Sequence, residues 1–324
     1  MTTTERDLER QLLDDDDERV YAALRRFFRP VPRMLAPLLY DWIPQADLSV
    51  VLGDGEGGGL LEAASRRMID LANATDAALR KRRFERKRRT QPDWPVVVVE
   101  GDSWVSHPFV DDLGDHLFDD DLNSFHVLNR GAAGDRLVTV LEEREHEAVL
   151  DQVEPVAMVL SGGGNDLLVQ FDEFLRSPPD PSNCEPERLV APAFEERVQA
   201  LMGVMRRLLL GVRAKDATLP ILVHGYDYLR VLPRGKGQFL TPHFDRAGID
   251  GELRQATLDT IIDRYNEVLE AVAVIVPGVT YVDLRGTVPE DEWHDEIHPN
   301  DVGFRRLADV MGEVVRDRMR PPKG

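Results

Sequence analysis

Short apolar runs alternate with longer amphipathic stretches in the part of the chain that follows residue 92. Five runs have the length and the β-branched content of buried strands, and they cover residues 96–100, 125–128, 156–160, 220–224 and 280–284. Four stretches have apolar residues at helical spacing, and they cover residues 137–149, 194–210, 253–273 and 302–318. This alternation predicts an α/β fold in which a mostly parallel sheet is covered by helices on both faces.

The first 92 residues have a different pattern. Residues 18–28 and 60–89 have helical spacing, and four prolines interrupt the stretch between them. We therefore predict a helical N-terminal appendage, residues 1–92, followed by a second domain, residues 93–324.

A glycine-rich segment at residues 53–59 contains the spacing G-x-G-x-x-G after a strand-like run, as dinucleotide sites do. Asp54 and Glu56 would face an anionic pyrophosphate, and no complete βαβ unit fits before residue 93. We predict a glycine hinge here and no cofactor.

Two segments that directly follow predicted strands are longer than ordinary connections. They cover residues 167–192 and 229–251. Both contain prolines, and glycines lie within or beside them. Six aromatic residues lie in or beside them: Phe171, Phe174, Tyr226, Tyr228, Phe239 and Phe244. The position of these segments predicts a lid or a pocket wall, and the aromatic residues favour an apolar pocket without identifying its ligand.

Composition and charge narrow the classes of function. The chain has 324 residues, 42% of them hydrophobic, and a formal net charge of -19, so its surface as a whole would repel nucleic acid. The single cysteine, Cys184, excludes an internal disulfide. The N-terminus lacks the features of a secretory signal, and no apolar run approaches the ~20 residues that span a bilayer. We predict a cytoplasmic protein without a transmembrane segment.

One strongly basic run, residues 80–89, stands out from this acidic background. It suits a contact with an anionic surface or an acidic protein partner. The favoured interpretation is the solvated end of a helix, where cations complement the helix dipole. The sequence leaves both interpretations open.

A serine follows the first strand of the second domain. Gly101, Asp102 and Ser103 come directly after the apolar run at residues 96–100, and parallel sheets carry their chemistry at the carboxyl ends of strands. A tight turn there would hold the Ser103 hydroxyl and its backbone N–H beside a reacting carbonyl. Ser103 is therefore a candidate nucleophile.

An acid and a histidine follow the last predicted strand. Asp295 precedes His298 by three residues, which lets the carboxylate reach Nδ1 and leaves Nε2 free to face a serine. Pro299 keeps His298 out of helical backbone, and Asn300 can cap the next helix. The pair is a candidate acid and base, and it would also suit a surface loop that merely caps a helix.

Two further loops offer hydrogen-bond donors. Asn165 follows three glycines after the strand at 156–160, and Gly134 follows the strand at 125–128. The Asn165 side-chain amide and the Gly134 backbone N–H could each donate to a developing oxyanion.

The remaining histidines are weaker candidates. His107, Asp111 and His116 match no known spacing of metal ligands, so packing or surface roles are favoured and no metal is predicted. His294 adjoins Asp295 without a following proline, which indicates a supporting or surface residue.

Taken in order, these loops resemble the four sequence blocks of the SGNH hydrolase superfamily, also called GDSL-type esterases and lipases. The matching residues are Gly101, Asp102 and Ser103 for the nucleophile block, Gly134 and Asp135 for the glycine block, Gly163 to Asp166 for the asparagine block, and Asp295 with His298 for the acid–base block. The resemblance covers about residues 93–318 and leaves residues 1–92 outside. Trp104 stands where the family's name has leucine, a departure that bears on the shape of the pocket.

The resemblance implies a flavodoxin-like three-layer α/β/α sandwich with a five-stranded parallel sheet, and hydrolysis of a small-molecule or lipid ester. It implies a triad of Ser103, His298 and Asp295, and an oxyanion hole formed by the backbone N–H groups of Ser103 and Gly134 and the side chain of Asn165. The sequence Gly-Asp-Ser-Trp-Val lacks the second glycine of Gly-x-Ser-x-Gly, which argues against an α/β-hydrolase. Two alternatives stay open: an acyltransferase on the same site, and an effector module whose residues 1–92 bind a partner.

Overall fold

The computed structural model describes residues 28–33, 36–44, 73, 76–107, 110–119, 123–179, 184–232 and 239–321. Two predicted features lie outside the described residues: residues 18–27 of the predicted helix 18–28, and the glycine-rich segment 53–59. Both stay predictions.

The described N-terminal residues include a hairpin as well as a helix. Strand β1, Phe28–Arg33, pairs antiparallel with strand β2, Ala36–Pro44. Proline fixes φ and has no N–H, so a proline-rich stretch cannot continue a helix, but it can lie in a ribbon of two edge strands. The region is thus not helical throughout. The helix predicted at residues 60–89 is confirmed from residue 76, where helix α1 covers residues 76–90.

Five parallel strands form the central sheet. They are β3 (Val96–Glu100), β4 (His126–Asn129), β5 (Ala157–Leu160), β6 (Ile221–His224) and β7 (Val279–Val282). Their order is β4-β3-β5-β6-β7, and every neighbouring pair is parallel. The three inner strands are buried along their whole length, whereas the edge strands β4 and β7 are partly exposed. Strands buried on both faces appear in sequence as continuous apolar runs, which is why their positions were predictable.

Helices cover this sheet. They are α2 (Leu113–Asp119), α3 (Leu137–Glu143), α4 (Glu145–Val153), α5 (Gly164–Leu168), α6 (Pro186–Leu189), α7 (Pro192–Lys215), α8 (Thr241–Ala247), α9 (Glu252–Ile275) and α10 (Asp301–Arg318), with a 3₁₀ turn at Phe171–Phe174. Helix α7 packs against α3, α4 and α9, whereas α2 packs against α10. The fold is the flavodoxin-like α/β/α sandwich that the resemblance implied.

The helix predicted at residues 137–149 is two helices. Arg144 adopts a left-handed backbone conformation with φ of 55° and separates α3 from α4. At 100° per residue, one straight helix would turn the buried Val140 and Val149 to opposite sides. The break lets both side chains enter the core, and a count of helical spacing could not show it.

No helix within the described residues is long and apolar enough to cross a membrane.

Candidate active site

The serine predicted as a nucleophile lies in a tight turn at the carboxyl end of β3. The backbone N–H groups of Val105 and Ser106 both donate to the carbonyl of Asp102, at 3.1 and 3.0 Å. Ser103 stands at the start of this turn and is 8% exposed. Its hydroxyl therefore lies at the sheet's carboxyl edge, close to solvent.

The turn depends on Gly101. Its φ is +152°, and a Cβ built on it would lie 2.7 Å from the Cβ of Ser161 and 2.9 Å from the Ser161 carbonyl oxygen. Only glycine lets the chain after β3 approach the chain after β5 this closely. The close approach brings the Ser103 turn beside the loop that carries Asn165.

Ser103 and His298, 195 positions apart in the chain, are in direct contact. The Ser103 Oγ lies 2.8 Å from His298 Nε2, and His298 Nδ1 lies 2.9 Å from the nearer oxygen of Asp295. With Nδ1–H donating to the carboxylate, Nε2 is left as an acceptor for the serine proton. The tautomer is thus set by Asp295.

The loop that carries these two residues is locally determined. Asp295 Oδ1 accepts the backbone N–H groups of Ile297 and His298, at 2.9 and 2.7 Å. Asn300 caps α10 by accepting from the backbone N–H groups of Val302 and Gly303, as the sequence predicted. A turn closed on one side and a capped helix on the other hold His298 in place.

Electrostatics keep Asp295 ionised. Burial alone would raise the pKa of this carboxyl, but the adjacent His298, aided by backbone donors, outweighs burial and holds the pKa well below its usual range. The carboxylate can therefore stabilise a positive imidazole at any pH near neutrality.

The three predicted hydrogen-bond donors, Ser103, Gly134 and Asn165, differ in how closely the structure relates them to one another. Asn165 lies in the first turn of the short helix α5, and its side-chain Nδ2 donates one hydrogen bond to the Asp135 carbonyl at 2.7 Å, which leaves its second N–H available. Within the described part of the chain, the backbone N–H groups of Ser103 and Gly134 donate to no backbone carbonyl. Ser103 and Asn165 line the same pocket, whereas Gly134 is exposed with φ of +89° and is joined to them through Asp135.

Tyr226, which follows β6, ties the nucleophile turn to the Asn165 loop. Its hydroxyl donates to Asp102 at 2.5 Å and accepts the backbone N–H of Gly164 at 2.7 Å. Burial, with the charge of Asp102 beside it, raises the pKa of Tyr226 well above its ordinary value. The phenol therefore stays protonated. The sequence offered Tyr226 only as an aromatic residue beside a pocket wall.

Trp104 has a role that the sequence did not indicate. Its indole N–H donates to the Ile297 carbonyl at 2.9 Å, and its ring packs edge-on against Tyr226 with centroids 5.0 Å apart. The residue that departs from the family's leucine thus joins the serine turn to the histidine loop, as well as lining the pocket. Nothing local in the sequence marks a contact across 193 positions.

His107, considered above only for a metal site, packs against His298. The two ring centroids are 4.6 Å apart at an interplanar angle of 64°, and the ring of Phe239 lies 6.2 Å from His298. Burial, with His298 as a second cause, holds the pKa of His107 well below its usual value, so this imidazole is neutral. His298 therefore packs against two aromatic rings.

The other histidines do not complete a metal site. His116 Nε2 lies 2.8 Å from the Asp301 carbonyl, where it joins α2 to α10, and His294 is exposed. Among the residues that the structure describes, no group of three or more His, Cys, Asp or Glu side chains could hold a metal ion.

A narrow pocket of about 570 Å³, counted to its open mouth, extends from Ser103 and His298. The two predicted insertions supply Leu167, Leu168, Phe171 and Leu229 to its wall. The long helices supply Phe194, Leu258, Ile261, Ile262 and Tyr265. The polar side chains that line the pocket lie near Ser103 and His298, and the rest of its wall is mostly apolar.

Glu296 connects the histidine loop to the second insertion. It is fully buried, and it accepts the backbone N–H of Leu240 at 2.6 Å and both the N–H and the hydroxyl of Thr241, at the start of α8. Burial raises the pKa of Glu296 to about 7, although these donors oppose the rise.

This raised pKa predicts a measurable pH dependence of stability. The folded protein binds the Glu296 proton more tightly than the unfolded chain, so the stabilisation is present below pH 4.5 and is lost as the pH rises to about 7, an effect on the order of 3 kcal/mol. Glu296→Gln mimics the protonated acid. In urea titrations, its free energy of unfolding relative to that of the wild type should be higher at pH 8 than at pH 5. The exposed Glu313→Gln is the control. A Glu296→Gln difference that is equal at both pH values would contradict this prediction.

The basic run at residues 80–89 is only partly exposed. Three of its cations turn towards α2 and the residues beside it: Arg80, Arg83 and Lys87. Arg83 pairs with Asp119 at 2.7 Å, and the Lys87 ammonium lies over the ring of Phe118. Five cations of the run remain exposed: Lys81, Arg82, Arg86, Arg88 and Arg89. An external contact through these five stays a prediction.

Comparison with known proteins identifies a family that this chain matches. A family model described as the GDSL-like Lipase/Acylhydrolase family matches residues 99–306. No curated protein sequence matches the chain significantly.

Solved structures that resemble this one share little sequence with it. Phospholipase A1 from Streptomyces albidoflavus NA297 is 19% identical, over 69% of this chain and 99% of that chain, with a TM-score of 0.45. An extracellular lipase from Streptomyces rimosus is 15% identical, over 68% and 99%, with a TM-score of 0.44. An acetyl xylan esterase from Butyrivibrio proteoclasticus is 13% identical, over 69% and 63%, with a TM-score of 0.42.

The family model spans well over half of the chain and includes the serine turn, the Asn165 loop and the histidine loop. The protein therefore belongs to the GDSL-like lipase/acylhydrolase family and is an esterase-type hydrolase.

Proposed function

We propose that this protein hydrolyses esters of apolar carboxylic acids through Ser103, His298 and Asp295. One observation carries the proposal: a serine hydroxyl 2.8 Å from an imidazole whose other nitrogen is 2.9 Å from a buried carboxylate, at the mouth of an apolar pocket. A nucleophile, a base and a group that orients the base are the components of acyl transfer to serine.

In this mechanism His298 Nε2 takes the proton of Ser103 Oγ as the oxygen attacks the acyl carbonyl. Asp295 stabilises the imidazolium that forms, and its low pKa keeps it ionised throughout. His298 then gives the proton to the departing alcohol oxygen. Water, activated by the same imidazole, attacks the acyl-enzyme and releases the acid.

The negative charge on the carbonyl oxygen needs donors that are already in place. The backbone N–H groups of Ser103 and Gly134 and the free N–H of Asn165 are assigned to it. The bond from Asn165 to the Asp135 carbonyl supports this assignment, because it orients the amide before a substrate arrives. Preoriented donors cost no reorganisation during the reaction, which is why they lower the barrier.

The apolar walls favour an acyl chain over a sugar or a charged group as the pocket's occupant. Burying each methylene of such a chain stabilises the complex by about 0.8 kcal/mol. Esters with longer acyl chains should therefore have higher kcat/KM until the pocket is filled.

Ile262→Phe tests this assignment. Ile262 lies on α9 in the pocket wall and is 4% exposed, so a larger side chain there takes up room that the acyl chain would use. For p-nitrophenyl decanoate, kcat/KM should fall by about tenfold or more, whereas for p-nitrophenyl acetate it should change by about threefold at most.

Val274→Phe is the matched control, because Val274 lies on the same helix and is 79% exposed. Its chain-length profile should equal that of the wild type. The acyl assignment fails if Ile262→Phe also leaves the profile unchanged.

A further inference from the structure

Helix α1 lies outside the residues that match the family, yet it reaches the active site through one side chain. The Arg80 side chain is 7% exposed, and its guanidinium pairs with Asp112 at 2.6 Å, Asp76 at 3.1 Å and Asp115 at 3.4 Å. It also donates to the carbonyl of Val105 at 3.2 Å, within the turn that begins at Ser103.

Asp112 is the junction between Arg80 and the active site. It is fully buried, and its Oδ2 accepts both the Arg80 guanidinium and the backbone N–H of His107, the latter at 2.5 Å. Its Oδ1 accepts the backbone N–H of Asp115, so the same carboxylate also caps α2. The position of His107 thus depends on a carboxylate that Arg80 holds.

His107 is the last contact before the catalytic imidazole. Its Nδ1 accepts the backbone N–H of Val110 at 3.3 Å, and its ring packs against His298 at 4.6 Å between centroids. A buried ring in this place restricts rotation of the His298 imidazole. Movement of His107 would remove this restriction and allow Nε2 to turn away from Ser103.

We propose that Arg80 is a positioning residue: through Asp112 and His107 it holds the His298 imidazole in line with Ser103. Helix α1 is in this respect a part of the active site, and not only an N-terminal appendage. The inference rests on the proposed function, since it assumes that His298 is the base.

Removal of the guanidinium has a pH-dependent consequence. The groups that face Asp112 are Arg80 and Asp76 from α1, Asp115 from its own helix, and His107. Burial raises the pKa of Asp112, and Arg80 is the charge that opposes the rise. Without it, the pKa of Asp112 would rise above about 8, so Asp112 would be protonated at neutral pH and would become a buried carboxylate facing two others only in more alkaline solution. The loop that holds His107 should then be disturbed more as the pH rises.

The test compares Arg80→Gln with Arg83→Gln, a control on the same helix whose ion pairs are with Asp115 and Asp119. With a short-chain ester at pH 9.5, R80Q should lower kcat by about tenfold or more, with KM within about twofold, because a small misplacement of a catalytic group slows the reaction strongly. The deficit should shrink towards pH 7, where Asp112 is protonated. R83Q should retain wild-type kcat.

A second variant separates positioning from a general role in folding. R80Q/D112N removes the carboxylate together with its cation, and it should recover most of the kcat at pH 9.5 and lose the pH dependence of the deficit. The proposal is overturned if R80Q has wild-type kcat from pH 7 to pH 9.5, or if its deficit is the same at every pH and D112N does not relieve it.

Should R80Q fail to fold, R80Q/D112N decides by the same measurements. Recovery of kcat supports the proposal, whereas a pH-independent deficit, or a double variant that also fails to fold, overturns it. Ser103→Ala separates this inference from the proposed function. An active Ser103→Ala variant would contradict the proposed function itself. An inactive Ser103→Ala together with a fully active R80Q would contradict only the proposed role of Arg80.

Discussion

Ser103→Ala is expected to lower kcat for ester hydrolysis by about 10⁶-fold, to the rate that donors and binding alone can sustain. The substitution removes the oxygen that lies 2.8 Å from His298 Nε2, so no covalent intermediate can form. The side chain is small and 8% exposed, so the fold should be unaffected. Initial rates with a p-nitrophenyl ester and the thermal unfolding midpoint are the two measurements.

Ser177→Ala, at an exposed position of the first insertion, is the matched control and should equal the wild type. A Ser103→Ala variant that turns over ester at a rate within about tenfold of the wild type would contradict the proposed role of this serine.

Asp295→Asn is expected to lower kcat by about 10⁴-fold while leaving the fold intact. The backbone N–H groups of Ile297 and His298 both donate to Oδ1, so they will keep the amide oxygen of asparagine at that position. The amide nitrogen then occupies the place of Oδ2, 2.9 Å from His298 Nδ1, and donates to it. This reverses the tautomer: the proton moves to Nε2, which can no longer accept the serine proton.

The control for this variant is Asp291→Asn, at an exposed position of the same loop, which should retain wild-type kcat. Nitrogen-15 chemical shifts of the His298 ring report the tautomer directly. Asp295→Asn with an unprotonated Nε2, or with full activity, would show that the carboxylate does not orient the imidazole.

The fold was predictable because its strands and helices are of the kinds that leave a local pattern. The inner strands of a parallel sheet are apolar on both faces, and each of the five predicted strands is present within two residues of its predicted ends. The break at Arg144 was not predictable, because a left-handed residue between two helices leaves the apolar spacing on either side intact.

The candidate site was predictable where its chemistry is local. Asp295 and His298 are three residues apart, glycines precede Ser103 and Asn165, and each of these loops follows its own predicted strand, so together they indicated the chemistry. The supporting contacts are not local. Trp104 reaches Ile297, Tyr226 reaches Asp102 and Arg80 reaches Asp112 only after the chain has folded.

The basic run shows how composition alone can mislead. A cluster of Arg and Lys in an acidic protein suggested either an external contact or a solvated helix end. Arg80 is in neither position, because Asp76, Asp112 and Asp115 surround it in the interior. A buried arginine pairs with carboxylates that lie far away in the sequence, so the pattern of charges along the chain does not show it.

The central claim is that Ser103 is a nucleophile activated by His298, and covalent labelling with a fluorophosphonate tests it most directly. The reagent forms a stable bond only with a serine whose hydroxyl is deprotonated as it attacks. We predict a single adduct on the peptide that contains Ser103, formed much more slowly in Asp295→Asn and absent in Ser103→Ala. An active wild-type protein with no adduct, or with its adduct on another serine, would contradict the account.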